Sequence, residues 1–163
     1  MAFTNTPKQR TAVAGLVLAA STLVGIALHE GYTDDAVIPV PGDVPTKGFG
    51  TTAHADGTKV RLGETTTPPR ALVDLLRDAS KFEQAVKRCA PVPMYPHEYS
   101  AWVQFTYNVG EGAFCKSTAA RKLNAGDYEG ACLEMLKWDK VAGRTVRGLT
   151  IRRQAEYKEC IGQ

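Results

Sequence analysis

One feature near the start of the chain restricts what the rest can be. Eighteen consecutive residues, Thr11 to Leu28, carry no charge, and a carboxylate, Glu30, follows almost at once. A lipid-spanning helix needs roughly 17–25 apolar residues, so the run is just long enough to cross a bilayer core. Lys8 and Arg10 precede it, whereas Glu30, Asp34 and Asp35 follow it. A basic flank on that side keeps the N-terminus in the cytoplasm and exports the remainder. Ten of the eighteen residues are Ala, Gly, Ser or Thr, which makes the segment weakly hydrophobic. Three readings are open: a signal peptide with Gly25-Ile26-Ala27 as its cleavage site, a permanent anchor, or a weak anchor released uncut. The run has no polar face, which argues against an amphipathic core helix.

Export gives the cysteines a meaning. Cys89, Cys115, Cys132 and Cys160 are even in number and have no C-x-x-C spacing, so disulfides fit better than zinc or a redox pair. Four cysteines permit three pairings, and their spacing does not choose among them. The 163 residues suffice for one domain, and a net charge of +3 without a basic, aromatic-laced cluster gives no sign of nucleic-acid binding.

Beyond the run the chain changes character once. Residues 31–69 are rich in Gly, Pro and Thr around short β-branched pieces ("AVIPV", "TKGFGTT", "TKVRL"), the pattern of a small irregular sheet. From Pro68 onward the period is helical. Leu72, Leu75, Leu76, Phe82 and Val86 fall near one face of a first helix, and Pro96 opens a second that ends at Gly110. Ser117 or Thr118 caps a third that stops at Gly126, Asp127 starts a fourth, and a fifth begins near Thr150. The fold class is therefore α+β, a small β part followed by about five helices.

Few side chains are suited to catalysis. His29, His54 and His97 lack metal-ligand spacing, and no Ser sits in a G-x-S-x-G turn. The carboxylates Glu30, Asp34, Asp35 and Asp43 remain, close in sequence to Thr46. Glycoside hydrolysis needs a carboxylic acid to protonate the leaving oxygen and a second group to hold water or stabilise the cation. A Glu ending an apolar helix suits the first role, since a dry setting favours its protonated form. An Asp on the polar turn Gly42-Asp43-Val44-Pro45 suits the second, although carboxylates in turns are common for structural reasons.

The segments "HEGY", "GDVPTKGFGTT", "YNVGEGAFCKSTAARKLNAGDYEGACLEMLKW" and "GLTIRRQAE" resemble the phage lysozymes of glycoside hydrolase family 24. The resemblance covers about residues 29 to 160. It implies a small sheet lobe beside a mainly helical lobe with a cleft between them. It also implies hydrolysis of the bond between N-acetylmuramic acid and N-acetylglucosamine in peptidoglycan, with no cofactor and no metal. Glu30 matches the family's general acid and Thr46 its water-placing threonine. The family's middle residue, an Asp, lies six before that Thr, where this chain has Val40. Asp43 is the nearest carboxylate on the loop and takes the role if the longer turn carries it there; Asp35 is the next candidate. Thr51 stands where many members carry His, with His54 nearby.

Other positions are implied by the same likeness. Tyr107 to Phe114 match a helix-to-helix turn, with Gly110 and Gly112 serving its geometry. Trp138 is expected in the core, and Arg152 or Arg153 as a saccharide or peptide contact. The disulfide pairing taken with this fold is Cys89–Cys115 and Cys132–Cys160. Residues 1–28 resemble the signal-anchor-release segments of some endolysins, leaving 29–163 as the catalytic domain. The chain is then expected as a monomer, held inactive in the host inner membrane through residues 11–28 and released to the periplasm. With no Cys before Cys89, a thiol switch inside the anchor is excluded, and the control would be topological. Two alternatives remain: a lytic transglycosylase acting on the same bond, and a wall-binding module with a degenerate site.

Overall fold

A computed structural model describes residues 9–40 and 42–163. The uncharged run does not form one helix. Thr11 makes an isolated β-bridge to Met94, Val13–Gly15 form a 3-10 turn, and α1 starts only at Ala20 and ends at Glu30. Eleven residues of α-helix extend about 16 Å, half the thickness of a hydrocarbon core. Among the described residues no helix is long and apolar enough to cross a membrane. Although the run lacks a polar face, it packs as if it had one. Val13, Leu16, Thr22 and Ile26 are buried, while Val17, Val24 and Leu28 face solvent.

Two compact units form, one from Leu18–Gln84 and the other from the described chain up to Val17 together with Ala85–Gln163. In the first unit α1 leads into an antiparallel pair, β1 (Thr33–Val37) and β2 (Thr46–Gly48). Single bridges Lys47–Thr51, Ala53–Lys59 and Asp35–Thr65 extend it, as the short β-branched pieces suggest. Helix α2 (Pro68–Cys89) begins in this unit and ends in the other. Leu75 and Val86 lie in the core as their spacing requires, whereas Leu72 and Leu76 are 51% and 46% exposed.

The helical unit is built around α3 (Pro96–Val109), in which every residue from Glu98 to Thr106 is buried. Trp102 packs its ring against Phe105 and Phe114, with centroids 5.8 Å away in both cases, and Trp138 meets Phe105 edge-on at 5.6 Å. Fully burying side chains of this size contributes about 1.5–3 kcal/mol each. Short helices come next: α4 (Glu111–Cys115), α5 (Thr118–Asn124) and α6 (Tyr128–Met135). Ser117 Oγ accepts the Ala120 N–H at 3.0 Å and Asp127 Oδ1 accepts that of Gly130 at 2.9 Å, so local capping sets where α5 and α6 begin. A two-residue hairpin, β3 (Lys140–Val141) with β4 (Arg144–Thr145), precedes α7 (Arg147–Cys160). The disulfides are Cys89–Cys115 and Cys132–Cys160, the expected pairing. Closing loops of 26 and 28 residues stabilises a chain by about 3.5 kcal/mol per bridge in the loop-entropy account.

Candidate active site

Glu30 is the last residue of α1. The helix stops there because Gly31, at φ 71°, turns left-handed while its N–H bonds the Ala27 carbonyl at 3.2 Å. The Glu30 side chain is half-buried, and a Cβ built on Gly50 would stand 3.7 Å from its Oε2. The carboxylate therefore overlooks the turn after β2. Next to it Tyr32 packs its ring on Phe49 at 5.3 Å. Its phenol is pushed up to about 12, first by lost hydration and then by Asp34, so it stays neutral.

Thr46 opens β2 and pairs with Val37. Its hydroxyl donates to the Val37 carbonyl at 3.5 Å, longer than a good O–H···O bond, which leaves it available to another acceptor or a water. The ladder shifts within β1: Thr33 faces Gly48 and Val37 faces Thr46, so four residue steps oppose two. The irregularity thus lies in the strand itself as well as in the turn. A bulge of this kind bends its strand and re-aims the residues beyond it.

Asp43 lies exposed on the turn, where its N–H bonds the Val40 carbonyl at 3.0 Å and its Oδ1 accepts the Val44 N–H at 2.8 Å. Val40 is an exposed apolar side chain that can neither accept nor place a water's proton. Asp35 is exposed too and bridged to Thr65 in the sheet extension. Glu30, Asp35, Asp43 and Thr46 thus belong to one compact unit.

Charged pairs that motif reading misses stiffen this hairpin. Lys47, 8% exposed, donates to Glu64 Oε2 at 2.7 Å, and His54 Nε2 reaches the same oxygen at 2.9 Å. The Lys47 ammonium, helped by the Arg61 N–H, holds the Glu64 carboxyl down at about 2. Thr51 Oγ1 donates to Asp78 Oδ2 at 3.1 Å, and Arg77 ties α2 to the Ala53 carbonyl at 2.9 Å. Thr51 therefore links the hairpin to α2 through its hydroxyl, while His54 serves the separate Glu64 cluster.

Gly48 sets how closely β2 approaches α2. Its φ is 63°, and an added Cβ would lie 2.8 Å from the Ala71 Cβ. Gly48→Ala is expected to cost about 2 kcal/mol or more, from the left-handed backbone and the clash together. Thermal melts should show a loss of about 4–8 °C; an unchanged melt would mean that β2 does not hold this contact.

The resemblance implies Arg152 or Arg153 as a saccharide or peptide contact, but both are buried, at 6% and 0% exposure. Both donate to Glu156 Oε1, at 3.0 and 2.9 Å, and Arg153 also reaches Asn108 Oδ1 at 2.9 Å. They are internal struts of the helical unit. Trp138 is half-buried on the Phe105 edge.

Known proteins are similar to this chain in sequence and in fold. The family described as phage lysozyme matches residues 27–156. The SAR-endolysin of Pseudomonas phage phiKMV is 35% identical over 151 residues, covering 90% of this chain and 89% of its own. The SAR-endolysin of Enterobacteria phage P21 is 31% identical over 162 residues, covering 95% and 96%. Among solved structures, an endolysin from Escherichia coli O157:H7 phage FAHEc1 superposes with a TM-score of 0.81 at 33% identity, covering 91% of this chain and 95% of that one.

Proposed function

The chain belongs to the phage lysozyme family and is a peptidoglycan-degrading hydrolase, and from that premise we propose that Glu30 is its general acid and that Asp43 and Thr46 order the attacking water. The observation that carries this reading is the position of Glu30. It ends α1 with its carboxylate over the turn after β2, in the same unit as the Thr46 hairpin.

In this mechanism Glu30 gives its proton to the oxygen between N-acetylmuramic acid and N-acetylglucosamine as the bond breaks. The Thr46 hydroxyl and the Asp43 carboxylate hold a water on the opposite face of the sugar, and Asp43 takes its proton as it attacks. The anomeric configuration inverts, and the product carries a reducing muramic acid end. An anhydro ring in the digest would point instead to a transglycosylase. Asp43→Asn should lower the rate of wall hydrolysis by about 10²-fold, with Asp35→Asn near the parent rate. The reverse order would transfer the role to Asp35.

The chain is read as a releasable endolysin for host lysis. Residues 11–28 hold it in the host inner membrane with the N-terminus in the cytoplasm, and release delivers it to the periplasm as an active monomer. The length of the uncharged run, its basic leading flank and the SAR-endolysin names of two relatives support this reading. Membrane residence would draw α1 into lipid and take Glu30 away from the hairpin, which keeps the anchored enzyme inactive.

A further inference from the structure

Arg10 is the last charge before the uncharged run, yet it is docked within the helical unit. Its Nε donates to Glu98 Oε1 and Oε2 at 3.2 and 3.0 Å, and its Nη2 donates to Oε1 at 2.7 Å. The guanidinium also lies over two rings, 4.6 Å from the Tyr95 centroid and 3.7 Å from that of Tyr128. The adjoining residue, Thr11, exchanges both backbone hydrogen bonds with Met94, each at 2.9 Å. Val13 and Leu16 are buried beyond it.

The receiving side is built from parts with their own anchoring. Glu98, 4% exposed, accepts the Tyr95 N–H at 2.8 Å as part of the first turn of α3. Tyr128 is fixed by its hydroxyl, which donates to the Pro93 carbonyl at 2.7 Å. A planar guanidinium satisfies this site in two ways at once, as a fork on the carboxylate and as a plate on the rings, and an ammonium would do neither as well.

We infer that Glu98, Tyr95, Tyr128 and the Met94 backbone form a latch that captures Arg10 and Thr11 once the uncharged segment has left the bilayer, holding the released enzyme against re-insertion. The inference rests on the membrane-held reading above. While residues 11–28 span a core about 30 Å thick, Arg10 lies on one side and Glu98 on the other. The span and the latch therefore exclude each other, and each contact in the latch counts toward the released state alone.

The test uses the full-length chain, exported in bacterial cells and divided into membrane and soluble fractions before and after an uncoupler collapses the membrane potential. Arg10→Lys keeps the charge that orients the span but loses the fork and the ring contact. Its ratio of soluble to membrane-bound chain after uncoupling is expected to fall about tenfold below the parent's. Tyr128→Leu, far from the span in sequence, should lower the ratio as well. The double variant should fall little below the worse single, because both changes break one contact set. If both single variants release like the parent, the latch is overturned and the membrane-held reading stands. If the parent is already soluble before uncoupling, that reading fails and the latch fails with it. Should Tyr128→Leu fail to fold, Arg10→Lys decides the matter alone.

Discussion

Glu30→Gln is expected to reduce wall hydrolysis by about 10²–10⁴-fold while leaving the fold intact. Glutamine keeps the size and most of the hydrogen bonding of the carboxyl group but has no proton to give to the departing sugar oxygen. The loss should therefore appear in kcat, with binding of wall fragments near the parent level. Stability gives an independent control. Glu30 is the last residue of α1, and the stop of that helix is made by the Gly31 backbone. A glutamine of the same shape at this half-buried position leaves that stop in place, so the variant should melt within a few degrees of the parent. A folded, released Glu30→Gln enzyme that clears cell walls at the parent rate would remove Glu30 from the mechanism.

How much is legible in the sequence depends on how local the determining interaction is. Ser117 and Asp127 bond backbone N–H groups three residues ahead, and both helix starts can be read directly. The glycine at residue 31 stops α1 by a backbone preference of its own, which fixes where Glu30 stands. Leu72 and Leu76 show where this logic ends. Their spacing marks a helix face, but which part of the face is covered depends on packing that spacing does not encode. The β3–β4 hairpin escapes notice because its turn puts Ala142 at φ 48°, a place where sequence leads one to expect Asn or Gly.

Distant charge pairs are the least legible. Arg10 and Glu98 are 88 residues apart, and sequence alone shows Arg10 only as the basic flank of a span. The register shift inside β1 is hidden too, since both the shifted and the regular pairing suit so irregular a β region. The burial of Arg152 and Arg153 escapes the sequence for a related reason. Arginine is almost never fully buried unless paired, and the partner that makes burial tolerable is evident only once α7 is in place.

That buried cluster carries the second large expectation. Two guanidinium groups converge on Oε1 of Glu156, which is 1% exposed, and Arg153 lies 4.9 Å from the Phe105 ring centroid. Burial pushes the Glu156 carboxyl upward, and the two arginines oppose it by favouring the anion. Glu156→Gln removes the only negative charge in this trio and leaves two buried cations sharing a neutral amide. Breaking a buried ion pair in this way costs about 3–5 kcal/mol, or about 6–20 °C in melting temperature for a chain of this size. Arg153→Met should cost clearly less. It leaves Arg152 and Glu156 as a balanced pair, and the methionine thioether can occupy apolar space beside Phe105. The comparison separates charge balance from packing. If charge balance governs the cluster, thermal melts will rank Glu156→Gln well below Arg153→Met. Equal losses would mean that α7 is held by the volume these side chains fill and not by their charges.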